Sequence, residues 1–410
     1  MPVEGSKRKL LFLAVLGAIF IQVAPVWMLR EQIKNGSSDF SAFYSAGRIL
    51  ATGHGSQLYD LEVQRDAQRI FTTKFGRPPL LPFNHPPFEA LIFAPLSLLP
   101  YSTAFALWMA CNIVMSIGAM FLVRPYLHSL QSYFDLALVA LSFFLPLLVA
   151  ISQGQDSILV LFLFALCLAG LMRGREGFAG CTLALAMFKP QLALPAMLML
   201  TLAHEKRRRL LIGFLSTCFA LGLLSVGVVG WRAFVGYPAV LLQSVPENPG
   251  VINPGDMPNL RGLFFAILGQ RVPMPTLYLC IAAFSAALIA IAVTVWQSGD
   301  KFQDSLQLNF ALVVTATVLV AFHGNLHDSA LLILPILIAS EWLMRKRANT
   351  VSRALLAASV VALIVLPMFW ENRQLLCLAT LALFATIWSE LRANRAGGQQ
   401  SFSATAAPGG

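Results

Sequence analysis

The run Leu10-Leu-Phe-Leu-Ala-Val-Leu-Gly-Ala-Ile-Phe-Ile-Gln-Val-Ala-Pro-Val-Trp-Met-Leu29 carries no charge and follows the basic triplet Lys7-Arg8-Lys9. A helix of about 20 residues crosses roughly 30 Å of hydrocarbon. The basic start resembles a signal peptide, but the run has the length of a full span and reads as an uncleaved first transmembrane helix. Similar apolar runs recur along the rest of the chain. Of the 410 residues, 57% are hydrophobic and 12% charged, and the mean hydropathy is +0.72, far from globular averages. The sequence therefore predicts an all-α polytopic membrane protein with about 11 to 13 helices.

The net charge of +10 comes from short basic clusters between apolar runs, where they set topology and meet anionic lipid. Nucleic-acid binding is excluded on that distribution, and membrane lipids are the expected surroundings. With Lys7-Arg8-Lys9 in the cytoplasm, spans near 103–123, 133–151 and 157–172 return Arg173-Gly-Arg175 to the same side. A broken pair, 178–188 and 191–203, returns His204-Glu-Lys-Arg-Arg-Arg209 there. Spans near 210–230, 274–296, 306–322, 328–344, 353–370 and 374–391 complete the set and leave both termini cytoplasmic. Residues 30–86 then form a long first extracytoplasmic loop with short surface helices, although its seven Lys/Arg against five Asp/Glu run against the charge rule. Pro86 to Pro100 is too short to span and reads as a surface or re-entrant helix. The six cysteines all lie inside apolar stretches without a CxxC pair, so neither a disulfide framework nor a zinc site is expected. The segment 1–395 reads as one integral membrane domain, and 396–410, rich in Gly, Ser, Ala and Gln, as a disordered tail.

This topology collects the unusual polar residues on one side. Asp39, Gln153-Gly-Gln155-Asp156, Lys189-Pro-Gln191, Asn259-Leu-Arg261, His323, Asn325, His327-Asp328 and Glu371-Asn-Arg373 all fall at extracytoplasmic ends of spans. Polar groups at membrane depth are costly and mark function, although each alone also suits a helix cap or a loop. Lys189 interrupts an apolar run, and Pro190 breaks the helix there, leaving a charged turn between two half-length helices. It reads either as a snorkelling lysine or as a phosphate-binding cation. His323 and His327 are spaced to share a helical face, which permits a metal pair, but no third ligand accompanies them and Asp39 has no second acidic residue at Asp-x-Asp spacing, so a divalent metal has no support and no cofactor is expected. Asp39 is either the N-cap of a surface helix or a carboxylate placed to meet a polar head group.

The order Asp39-Phe-Ser-Ala-Phe-Tyr-Ser-Ala-Gly-Arg48, Leu58-Tyr59-Asp60, Phe83-Asn-His-Pro-Pro-Phe88, Ala94-Pro-Leu-Ser-Leu-Leu-Pro100, Ser152-Gln-Gly-Gln155, Lys189-Pro-Gln191, Asn259-Leu-Arg-Gly262 and His327-Asp328 resembles glycosyltransferase family 87. That family is of GT-C type, uses polyprenyl-phosphate sugars and includes mycobacterial mannosyltransferases of phosphatidylinositol mannosides. The resemblance implies a GT-C helix bundle in the bacterial inner membrane with an extracytoplasmic active site. It implies a polyprenyl-phosphate sugar donor and a lipid or glycan acceptor, with mannose or a pentose such as arabinose as the sugar. By the same resemblance Asp39 is the catalytic base of an inverting transfer, and Lys189, Arg261, His323 and His327 hold the donor phosphate. Tyr44, Arg48, Tyr59, His85, Gln155, Asn259 and Asp328 are then expected to line the substrates. Around His323-Gly-Asn-Leu-His327-Asp328 the chain departs from the bulkier aromatic or paired-His motif of many members. The competing reading is a transporter or flippase of a lipid-linked sugar, which broken helices also suit, but no internal repeat links the two halves of the chain.

Overall fold

A computed structural model describes residues 2–72, 80–242, 254–297, 303–345, 350–366 and 374–405. They form eighteen α-helices and no strand, the all-α polytopic architecture that the composition predicts. After α1 (Pro2–Met28), the loop folds into α2 (Arg30–Lys34), α3 (Phe40–Ala51), α4 (Leu61–Thr72) and α5 (Pro87–Phe93). The long helix α6 (Tyr101–Val123) comes next, then α7 (Phe134–Ser142) and α8 (Leu145–Gln153), a pair bent by 56°. The short apolar helices α9 (Ser157–Met172), α10 (Glu176–Leu185) and α11 (Pro190–Ala203) follow. α12 (Arg207–Leu242) is broken at Gly230, where φ is 80°. The chain continues through α13 (Leu260–Leu268), α14 (Met274–Gln297), α15 (Gln303–Val320), α16 (Ile333–Arg345), α17 (Thr350–Val365) and α18 (Gln374–Thr405).

Among the described residues six helices are long and apolar enough to cross a membrane, and seven if the bent pair is one span. The expected number of about 11 to 13 is reached only by adding the five shorter apolar helices. The segment expected to be disordered from Ala396 continues α18 as a helix as far as Thr405. Glu371-Asn-Arg373 lies outside the described residues.

Two apolar cores divide the molecule. The larger joins α1 and α6 to α18, and polar side chains fasten it where lipid supplies no hydrogen bonds. Ser116 Oγ on α6 donates to Gln22 Oε1 on α1 at 2.8 Å, and Gln22 Nε2 donates to Ser142 Oγ on α7 at 3.3 Å. Glu341 on α16 accepts from the backbone N–H groups of Ser129 and Leu130 at 3.0 and 2.8 Å, securing the turn before α7. The second core joins the first loop to the start of α6 and is rich in aromatic rings. Phe43 stacks on Phe93 at 4.8 Å, Phe71 on Tyr101 at 4.4 Å, and Phe40 meets Phe105 edge-on at 5.4 Å. Such pairs add about 0.5–1.5 kcal/mol each beyond the area they bury.

The two cores meet at the turn after α8. Gly154 ends that helix in the left-handed region, with φ 64° and ψ 35°. Its backbone is seated under the aromatic core, so a Cβ there would stand 2.7 Å from Phe40 Cβ and 3.1 Å from Phe105 Cε2. From α6, Trp108 Nε1 donates to Gly154 O at 2.9 Å and Asn112 Nδ2 to Gln155 O at 3.2 Å. Gly154→Ala combines an unfavourable φ with a clash against packed rings. It is expected to lower stability by about 1–3 kcal/mol, seen as a lower melting temperature of the purified protein in detergent. An unchanged melting temperature would show that this turn is not the junction described.

Candidate active site

Three interruptions of regular helix meet inside the bundle: the turn 154–156 between α8 and α9, the break at Lys189-Pro190, and the 3₁₀ turn Leu326–Leu332 leading into α16. Irregular backbone at membrane depth is stable only where protein, rather than lipid, surrounds it. Proline after Lys189 keeps that residue out of helical geometry, at φ −117° and ψ 73°, and turns its side chain out of the helix register. The ammonium lies 2.9 Å from Asp156 Oδ1 and 2.5 Å from Asp328 Oδ1, and donates to Ser157 Oγ at 2.8 Å. Ser157 Oγ is also 2.8 Å from both Asp328 Oδ1 and His327 Nδ1. Asp328 completes a capping box, its Oδ2 accepting from Asn325 N at 2.9 Å. Lys189 is only 2% exposed, which removes the snorkelling reading. Its charge is committed to two carboxylates, so it is a neutralised centre and not the bare cation that the sequence suggests.

Asp39 sits at the N-cap position of α3, yet its side chain makes no capping bond. Oδ2 accepts from Gln155 Nε2 at 2.6 Å, and the Asp39 N–H donates to Gln153 Oε1 at 3.3 Å. The turn that carries Asp156 thus also holds Asp39. Oδ1 of Asp39 takes no hydrogen bond from any described residue, leaving one half-buried carboxylate oxygen for a proton to reach.

His85 joins the other side of Asp156. Its Nδ1 is 2.7 Å from Glu89 Oε2 and 3.5 Å from Asp156 Oδ2, and its ring rests against Phe43 and Phe83. Tyr59 fixes the His85 backbone, donating from its hydroxyl to His85 O at 2.8 Å, and stacks on Tyr237 from the second part of α12. Burial, the leading cause, pushes the His85 imidazole below its ordinary pKa and the Glu89 carboxyl well above its own. One donor atom from each of His85, Glu89 and Asp156 lies within 4.8 Å of the others, a separation a metal ion can span.

The remaining expected residues divide. His327, Asp328, Gln155, His85 and Lys189 gather with Asp39 as described. Arg261 and His323 lie near them: His323 feels the charges of Asp328, Lys189, His327 and Arg261, and burial lowers its pKa to about 4. Arg261 donates to Phe322 O at 3.1 Å with its guanidinium 4.1 Å above the Phe322 ring, and its buried Nε has no hydrogen-bond partner. Asn259 instead caps α13, accepting from Gly262 N at 3.1 Å, and ties it to the end of α15 through Ala321 O at 2.8 Å. Tyr44 is buried in the aromatic core with its hydroxyl on Leu99 O at 2.7 Å. Arg48 occupies the last turn of α3, half-buried. Glu89 and Ser157 have no place in the sequence reading of the site. The available signals were the His85-x-x-x-Glu89 spacing and an Asp156-Ser157 pair opening an apolar helix.

Two outcomes test this electrostatic centre. Lys189→Met strands Asp156 and Asp328, at a cost of about 3–5 kcal/mol, whereas Lys189→Met combined with Asp328→Asn recovers part of that loss in thermal unfolding. Fully additive losses would contradict a shared centre. For His323, the unfolded state binds a proton near pH 6.5 and the folded state only near 4. Stability is therefore lost as pH falls through that window. His323→Gln removes the loss, so its stability relative to the parent rises as pH drops from 6.5 to 4; a pH-independent difference would rule this out.

The chain matches the sequence profile of glycosyltransferase family 87 over residues 83–323. No curated protein and no solved structure matches it. The matched region includes His85, Gln155, Lys189, Asn259, Arg261 and His323, while Asp39 precedes it and His327-Asp328 follow it. With more than half its length matched, the chain belongs to glycosyltransferase family 87.

Proposed function

We propose that this membrane glycosyltransferase moves a sugar from a polyprenyl-phosphate donor to a lipid or glycan acceptor on the extracytoplasmic face, with Asp39 as general base. Mannose is the first candidate and arabinose or another pentose the second. The observation that carries the reading is the 2.6 Å hydrogen bond from Gln155 to Asp39, which orients a carboxylate freed from capping beside a buried charged centre.

In the proposed step an acceptor hydroxyl oxygen attacks the anomeric carbon from the face opposite the phosphate. Its C–O bond forms as the bond from that carbon to the phosphate oxygen breaks, the hydroxyl proton passes to Asp39, and polyprenyl phosphate leaves with the electron pair. The anomeric configuration inverts. A carboxylate is a weak base, so most of the acceleration comes from orientation and from stabilising the departing phosphate. Arg261, whose Nε is buried without a partner, and His323 beside it are proposed to face that phosphate. Lys189 and His327 are proposed to form the floor beneath it through Asp328 and Ser157. The termini are then cytoplasmic and the membrane is the bacterial inner membrane.

Reconstituted in liposomes with radiolabelled polyprenyl-phosphate mannose and host lipid extract, the protein is expected to transfer label to a new glycolipid. Asp39→Asn is expected to reduce the rate by about 10²–10⁴-fold and Gln155→Ala by up to about 100-fold, with both variants folded. Full activity of Asp39→Asn would refute the base assignment. Label that crosses the bilayer without forming a glycosidic bond would support a flippase instead.

A further inference from the structure

We propose that His85, Glu89 and Asp156 form a binding site for one divalent cation of the Mn²⁺ type. The claim stands apart from the proposed donor and from the role of Asp39.

His85 Nδ1 and Glu89 Oε2 approach to 2.7 Å, yet neither atom has a hydrogen-bond partner of acceptable geometry, and the same holds for Glu89 Oε1. Asp156 has no hydrogen bond of acceptable geometry at either oxygen, although the Lys189 ammonium lies 2.9 Å from Oδ1. The Glu89 and Asp156 side chains are each only 1% exposed, out of reach of bulk water. Buried acceptors left without donors are expensive. Adjacent donor atoms around an ion with bonds of about 2.1 Å stand about 3 Å apart. The 2.7 and 3.5 Å spacings around His85 Nδ1 bracket that value.

Glu89, Asp156 and Asp328 are buried around one ammonium, Lys189. Ionised, the three carboxylates exceed it by two negative charges, which a divalent cation balances. One imidazole nitrogen with two carboxylates suits Mn²⁺, which accepts both ligand types, and leaves coordination positions for water or an oxyanion. Asp156 would serve Lys189 with Oδ1 and the ion with Oδ2. The supports are fixed independently of the ion: Tyr59 holds the His85 backbone, and Phe43 and Phe83 hold its ring. The competing occupant is a proton shared between Glu89 and Asp156, which lie close enough to share one.

The test uses the full chain in lipid nanodiscs, stripped with chelator and titrated with MnCl₂ while free Mn²⁺ is followed by electron paramagnetic resonance. One Mn²⁺ per chain is expected, with affinity reduced at least about tenfold in His85→Asn and in Glu89→Gln, and unchanged in Glu62→Gln on the exposed face of α4. Because Glu89→Gln could misfold, the bound ion in the unaltered protein is also examined by electron spin echo envelope modulation. Coupling to a single imidazole nitrogen, lost in His85→Asn, is expected. Absence of stoichiometric binding, or binding that survives both substitutions, overturns the proposal. So does a protonated-carboxyl infrared band that persists with saturating Mn²⁺ and vanishes in Glu89→Gln. None of these outcomes bears on whether the protein transfers sugar.

Discussion

A lysine ammonium placed inside a membrane protein has to be neutralised where it sits, and the organisation around Lys189 follows from that requirement. Its partners Asp156 and Asp328 come from segments far apart in the chain, so the charge cannot be satisfied until α8–α9, α10–α11 and the turn before α16 are all assembled. Each of these segments is broken at the contact, by Gly154, Pro190 and the Asn325–Asp328 capping box respectively. Removing either class of charge leaves the other buried and unpaired, which costs far more than the pair contributes. The breaks also leave helix ends and polar side chains inside the bundle.

The aromatic core of the first loop holds that buried centre beside Asp39. Phe40 and Phe105 lie against Gly154, so the turn bearing Gln155 and Asp156 cannot move without moving the loop. Gln155 reaches back to Asp39 at the start of α3, and Asp39 inherits the rigidity of both cores. The second part of α12 closes over the loop, with Tyr237 stacked on Tyr59 and Tyr59 bonded to the backbone of His85. Packing in the loop thereby sets the positions of the groups beside Asp156.

Much of this was legible in the sequence. Apolar run length and basic clusters gave the all-α membrane architecture, and the polar residues grouped on one side by topology include those that meet around Lys189 and Asp39. Proline after Lys189 located a break with no neighbour known. What the sequence hid was pairing. Whether Lys189 snorkels, binds phosphate or is neutralised depends on which carboxylates face it, and Asp328 lies 139 positions away. Asn259 and Tyr44 look like binding residues by type, but their polar atoms meet backbone groups once the helices dock. The His85-x-x-x-Glu89 spacing was a weak signal because it says nothing about Asp156, which joins the two across the bundle.

The most direct measurement of the central claim is a cryo-electron microscopy structure of the Asp39→Asn variant in nanodiscs with a polyprenyl-phosphate sugar bound. The account predicts the anomeric carbon facing position 39, with room for an acceptor oxygen about 3–3.5 Å from that carbon, and the phosphate on the side of Arg261 and His323. A donor bound in the opposite half of the membrane, or with its sugar turned away from position 39, would contradict it.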